Sequence, residues 1–272
     1  MNLSLSKRQI RRRLLIFTVI TLISGILLKF YWFAGETQKL LSSCDSEQHE
    51  QQCGDQNVVV LHGLVRSSGS MSKISQALNH AGYTVCNIQY PSRQHSIPKL
   101  AQDFVYQEIQ DCFPGNQQPL NFVTHSMGGI IVRQLAQGTE LEIKRVVMLS
   151  PPNHGSTLVD KLKIIPLFKL INGEAGLSLG TESSSIPNNL GAVSFEVGII
   201  VGNKSLNPLY SSLIPGADDG KVAVESAKVS GMKDFLVVPH SHSFIMNSDV
   251  VIEQTINFIN HGHFKLDRQT DS

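Results

Sequence analysis

Two things are scarce in these 272 residues: cysteine, with four, and any surplus of charge, with 23 basic against 22 acidic residues. A net charge of +1 offers no concentrated basic surface, so no nucleic-acid partner is expected. The four cysteines (Cys44, Cys53, Cys86 and Cys112) include no Cys-x-x-Cys pair. That spacing gives no support to a zinc ribbon or thioredoxin-like chemistry. Internal repeats and low-complexity tracts are also absent, which excludes solenoid arrays. Four late histidines (His240, His242, His261 and His263) form i, i+2 pairs with no carboxylate spacing to complete a ligand set. No metal and no cofactor is therefore expected.

What the chain does have begins at its N-terminus. Lys7, Arg8, Arg11, Arg12 and Arg13 precede an apolar run, Leu14 to Leu28, that continues past Lys29 to Ala34. About 20 apolar residues suffice to cross a bilayer, and the basic flank stays on the cytoplasmic side. Tyr31 and Trp32 stand where interfacial aromatics are expected, and Lys29 can snorkel. The expected organisation is a cytoplasmic 1–13, a signal anchor over 14–34, a polar linker over 35–56, a folded domain over 57–264 and a tail over 265–272. The alternative is a cleaved leader. Leu41-Ser42-Ser43-Cys44 has the form of a lipoprotein processing box, but it lies beyond Glu36 and Lys39, away from the apolar run. Each version carries the domain outward across the membrane, where disulfides form. Cys44 and Cys53 are then a local pair. Cys86 and Cys112 are either a second disulfide or two buried thiols.

From Asn57 the chain alternates strand and helix, the signature of a parallel sheet covered on both faces. Strands are expected at Val58–Leu61, Tyr83–Ile88, Leu120–Thr124, Arg145–Leu149, Val197–Val201 and Phe235–Val238. Helices are expected at Ser70–His80, Ser96–Phe113 with Ser96 as cap and Ile97, Leu100, Ala101, Phe104 and Ile109 near one stripe, Met127–Ala136 and Ser248–Ile259. Residues 153–193 lose the pattern and read as a lid, a pocket wall with Leu167, Phe168, Leu170 and Ile171 as its apolar side, or an ordinary connection.

Thr124-His125-Ser126-Met127-Gly128-Gly129 lies between a strand and a helix. A serine hydroxyl becomes a useful nucleophile when a tight turn thrusts it toward a histidine that takes its proton. The pattern Gly-x-Ser-x-Gly serves that turn; here Thr124 holds the first glycine position. Leu61-His62-Gly63-Leu64 ends the first strand, where a loop amide, that of Leu64, can join the amide of Met127 as an oxyanion hole. Asp218-Asp219-Gly220 and His240-Ser241-His242 each follow a strand, in the order nucleophile, acid, histidine.

On these residues, with Tyr90-Pro91-Ser92, Ser150-Pro151-Pro152-Asn153-His154-Gly155-Ser156 and Ser241-His242-Ser243-Phe244, the chain resembles the α/β-hydrolase superfamily of lipases and esterases. More narrowly, it is similar to a bacterial lipase-like group related to the minimal six-stranded lipases. The resemblance implies ester hydrolysis with Ser126 as nucleophile, Asp219 rather than Asp218 as acid, and His242 rather than His240 as base. The anchor, which many members of that group lack, sets the expected place of the domain on the periplasmic side of a bacterial inner membrane, and the nearby bilayer adds a lipid-like substrate to the ester that the resemblance implies. The same triad would serve acyl transfer, or thioester or amide cleavage. A non-catalytic anchored binding protein is the alternative of a different class.

Overall fold

The computed structural model describes residues 57–265. The expected anchor over 14–34, the linker, Cys44 and Cys53 lie outside the described residues. Among the described residues no helix is long and apolar enough to cross a membrane.

Six strands build one wholly parallel sheet: β1 (Asn57–Leu61), β2 (Thr84–Ile88), β3 (Leu120–His125), β4 (Ile143–Leu149), β5 (Glu196–Gly202) and β6 (Asp234–Val238). Their order across the sheet is β2-β1-β3-β4-β5-β6. A strand's side chains alternate between faces, so a strand buried on both is apolar at every position. In β1, Val58 and Val60 enter the core on one face, while Val59 and Leu61 enter the core on the other. Helices α1 (Ser72–His80) and α9 (Asp249–His261) contribute to the first core, as Ile74, Leu78, Val251 and Phe258 show. The helical stretch α2, over 97–112, and α3 (Met127–Gly138) contribute to the second.

Helix α2 departs from the expected stripe. It runs as α over Ile97–Lys99, as π over Leu100–Val105 and as α again over Tyr106–Cys112. The wider π turn inserts about one residue into the period. The buried position consequently moves from Phe104, half-buried, to Val105, and Ile109 still faces the core. Ser96 precedes this helix without capping it through its side chain. Cys112, at the far end of α2, closes a disulfide with Cys86 of β2, Cα to Cα 6.1 Å.

Residues 153–193 are more regular than their composition suggests. They hold α4 (Thr157–Leu162), α5 (Pro166–Leu177, kinked at Gly173) and α6 (Ile186–Asn189). Two short helices follow β5: α7 (Pro208–Ser211) and α8 (Val224–Ala227). The connection from β1 leads to β2 on one side, and the next leads back across to β3 on the other. At such a reversal the carboxyl ends of neighbouring strands leave a crevice. The ends of β1 and β3, carrying His62-Gly63-Leu64 and Ser126, meet there.

Candidate active site

Ser126 occupies the single residue between β3 and α3, with φ 53° and ψ −122°. An L-residue held there costs about 1–3 kcal/mol, so its surroundings must hold it. Ser126 N–H donates to the Leu149 carbonyl at 2.8 Å, and Gly129 N–H donates to the Ser126 carbonyl at 3.0 Å. Two residues on, Gly128 is obligatory: a Cβ there would sit 2.8 Å from the Leu61 carbonyl oxygen. Thr124, at the other flank, is accommodated wholly inside the sheet.

The hydroxyl so presented meets an imidazole. His242 Nε2 lies 3.0 Å from Ser126 Oγ, and His242 Nδ1 lies 2.8 Å from Asp219 Oδ2. With Nδ1–H donated to the carboxylate, Nε2 is left to accept from the serine. Asp219 is 1% exposed. Its Oδ1 accepts the amides of Lys221 at 3.0 Å and Val222 at 2.9 Å. Burial alone would raise its pKa, but the charge and hydrogen bond of His242, the Ser150 hydroxyl and the Val222 amide outweigh burial and hold it below the ordinary value. The carboxylate is therefore ionised and oriented.

The neighbours that could have taken these places are turned elsewhere. Asp218 Oδ1 accepts the Gly220 amide and the Ser211 hydroxyl, each at 2.7 Å. The His240 ring pairs with Ser248 Oγ at 2.8 Å, at the start of α9. His261 and His263 bond backbone carbonyls near the end of α9.

The loop after β1 runs against Ser126. A Cβ on Gly63 would stand 2.9 Å from His125 Nδ1 and 3.1 Å from Ser126 Cβ. That contact places the following residue, Leu64, next to the serine. Met127 opens α3, where the first amides have no partner within the helix. His62 stiffens the loop from behind. It stacks on Tyr90 at 4.1 Å, donates from Nδ1 to the Gly63 carbonyl at 2.8 Å, and its carbonyl accepts the Tyr90 hydroxyl. Burial lowers the His62 pKa, so this ring is neutral near pH 7 and plays a supporting part.

Two supports escape a reading of the sequence. Ser150, at the end of β4 with φ 51°, is buried, and its hydroxyl bonds Asp219. Its position at a strand end before Pro151-Pro152 was the available signal. His125 is buried, and its Nε2–H donates to the His242 backbone carbonyl at 2.9 Å. Burial first, then the nearby His242, pushes the His125 pKa well below 6.5, so it stays neutral.

A cleft of about 270 Å³ opens on Ser126 and His242, with Leu158, Val159, Phe168, Ile171 and Leu179 as its apolar side. These come from residues 153–193, which thus form a pocket wall. Leu167 and Leu170, expected in that wall, instead face solvent at 63% and 79% exposure. The segment is fastened to α3 by Arg133, whose guanidinium donates to the carbonyls of Asn153, Pro187 and Gly191 and to the side-chain oxygen of Asn153.

The sequence matches the family described as alpha/beta hydrolase fold over residues 56–170. No curated protein matches it. Among solved structures, mature lipase BlEst2 of Bacillus licheniformis superposes with a TM-score of 0.56 at 18% identity, covering 76% of this chain and 92% of that one. A metagenomic carboxyl esterase gives 0.56 at 18% identity, covering 71% and 66%. A structure from the metagenome-derived lipolytic pair LipS and LipT gives 0.51 at 17% identity, covering 76% and 94%. Likeness at these identities speaks for the fold.

Proposed function

On this α/β-hydrolase fold, we propose that the chain hydrolyses carboxylic esters, with Ser126 as nucleophile, His242 as general base then acid, and Asp219 as the carboxylate that orients it. One observation carries the reading: an unbroken hydrogen-bonded chain, 2.8 Å from Asp219 to His242 and 3.0 Å from His242 to Ser126, beside an apolar cleft.

Ser126 Oγ attacks the ester carbonyl as its proton passes to His242 Nε2, and Asp219 stabilises the imidazolium. The Leu64 and Met127 amides receive the oxyanion. Collapse breaks the bond to the leaving alcohol, which takes the proton from Nε2, and leaves Ser126 acylated. Water, deprotonated by the same histidine, then releases the acid and restores the serine. The apolar wall of residues 153–193 takes the acyl chain.

The anchor over 14–34 would hold this site near a bilayer, on the periplasmic side of a bacterial inner membrane. The Cys86–Cys112 disulfide supports an oxidising compartment. Replacing Ser126 by Ala should abolish release of nitrophenol from a short-chain p-nitrophenyl ester while leaving the fold intact. Undiminished turnover by that variant would overturn the proposal. Turnover of amides or thioesters in preference to esters would redirect it to those acyl donors.

A further inference from the structure

The catalytic cleft continues into a polar groove. The groove, about 570 Å³, shares Val65 and Arg66 with the cleft and runs on past Ser67, Ser70, Gln89 and Ser92 to Arg93. Between them the two cavities present Arg66, Arg93 and Lys221, and no aspartate or glutamate lines either one.

Among the described residues none of these three cations forms an ion pair. Arg66 donates to the Ser243 carbonyl at 3.1 Å, and Arg93 donates to the Ile171 carbonyl at 3.4 Å. Positive charge gathered without counter-charge is unfavourable. Lys221 is an exposed residue with a desolvated ammonium end, and that desolvation, followed by the charge of Arg66, lowers its pKa against the opposing pull of Asp219. Arg66 and Lys221 also line the same cleft as His125 and Ser126, which puts their charge close to the reacting centre.

Their placement relative to His242 identifies the part of the substrate concerned. Arg66 holds the carbonyl of Ser243, the residue after His242, and the Lys221 amide holds Asp219, the partner of His242. Arg66 and Lys221 line the same cleft as the histidine, and His242 Nε2 is the atom that returns a proton to the departing alcohol. The apolar side chains, by contrast, come from residues 153–193.

We propose that the substrate is an amphiphilic ester with an anionic group, phosphate or carboxylate, on the alcohol side of the scissile bond. Arg66 and Lys221 bind that group at the junction of cleft and groove, Arg93 extends the positive field outward, and the acyl chain lies along Leu158, Val159 and Phe168. This rests on the ester-hydrolase reading above.

The test uses the full chain in nonionic detergent with three butyryl esters: 1-butyrylglycerol, 1-butyrylglycerol 3-phosphate and 3-butyrylglycerate. The expected result is a kcat/KM at least about tenfold higher for the anionic esters than for the neutral one at low ionic strength. Phosphate against carboxylate identifies the anion. An octanoyl series in micelles against the soluble butyryl series separates a lipid headgroup from a small soluble ester. The anionic-to-neutral ratio should shrink as salt rises from about 20 mM to about 0.5 M. It should fall to within about threefold of one in Arg66→Gln/Lys221→Gln and survive in Arg66→Lys, which keeps the charge. A wild-type ratio of one or less, with Ser126-dependent turnover of the neutral ester, overturns this proposal and leaves the hydrolase reading standing. No turnover of any of the three, with Ser126 inert to an active-site phosphonate, overturns both.

Discussion

The imidazole of His125 donates from Nε2 to the backbone carbonyl of His242 at 2.9 Å, so the residue before Ser126 fixes the main chain of the histidine that faces it. The rings stand 4.8 Å apart, tilted by 53°. A protonated His125 would repel the imidazolium that the proposed reaction makes of His242, and burial keeps His125 neutral.

Stability should fall in mild acid as a consequence. The pKa values of His125 and His62 are both depressed on folding, by burial first, so below about 6.5 the unfolded chain takes up more protons than the folded one. Their contribution is complete above that value and is lost as pH falls beneath it. The Asp219 carboxyl, also depressed, begins to withdraw its contribution only below its ordinary 3.8. Urea midpoints between pH 7 and 5 should decline. His125→Gln, whose amide can replace the Nε2 donor, should flatten that decline, and an equally steep decline in the variant would contradict the assignment.

Asp219 and Asp218 are adjacent in sequence and bonded apart, the one to His242 and the other to Gly220 and Ser211. Asp219→Asn should reduce kcat by about 10⁴-fold, because the amide favours the wrong histidine tautomer. Asp218→Asn disturbs the bonds to Gly220 and Ser211 and should cost about 1 kcal/mol of stability with a far smaller loss of kcat. Steady-state kinetics with thermal melts separates the two; equal losses of kcat would contradict the distinction.

Arg133 is a buried cation whose two terminal nitrogens donate to carbonyl oxygens while its Nε finds no partner among the described residues, and burial lowers its pKa to about 10. Arg133→Met leaves the Pro187 and Gly191 carbonyls without that donor and should destabilise the domain by about 2–4 kcal/mol. Hydrogen exchange should quicken first across residues 153–191, and uniform quickening through the sheet would argue against Arg133 as the local fastening.

The Cys86–Cys112 bond closes a separation of 26 residues between β2 and the end of α2. Removing a crosslink of that span costs about 2–4 kcal/mol. Cys86→Ala/Cys112→Ala should therefore melt on the order of 5–10 °C lower. An unchanged melting temperature, or free thiols at both positions in chain purified from an oxidising compartment, would contradict the pairing.

Much of this fold was legible because parallel strands buried on both faces read as unbroken apolar runs; Val58-Val59-Val60-Leu61 needs no other signal. Helices α4 and α5 were hidden for the opposite reason. Ile164, Leu167 and Leu170 are apolar yet exposed, and the kink at Gly173 breaks the period, so no stripe survives to be recognised. The π turn in α2 likewise has no signature in composition. At the site, Ser126, the Asp218-Asp219 pair and the His240-Ser241-His242 run followed from strand ends and chain order, and the choice of Asp219 and His242 within them came from the family resemblance. The supports did not: His125 meets His242 across 117 residues, and Ser150 reaches an aspartate on a distant loop. Local sequence cannot announce a partner that only the closed sheet brings near.

Ester hydrolysis in this cleft requires Ser126 to be an activated nucleophile. A fluorophosphonate probe, read by intact mass and peptide mapping on the full chain, reports that reactivity. One equivalent should attach at Ser126, and Ser126→Ala should remain unlabelled while keeping its fold. An inert Ser126 in the folded protein, or equal labelling of Ser126→Ala, would contradict the account.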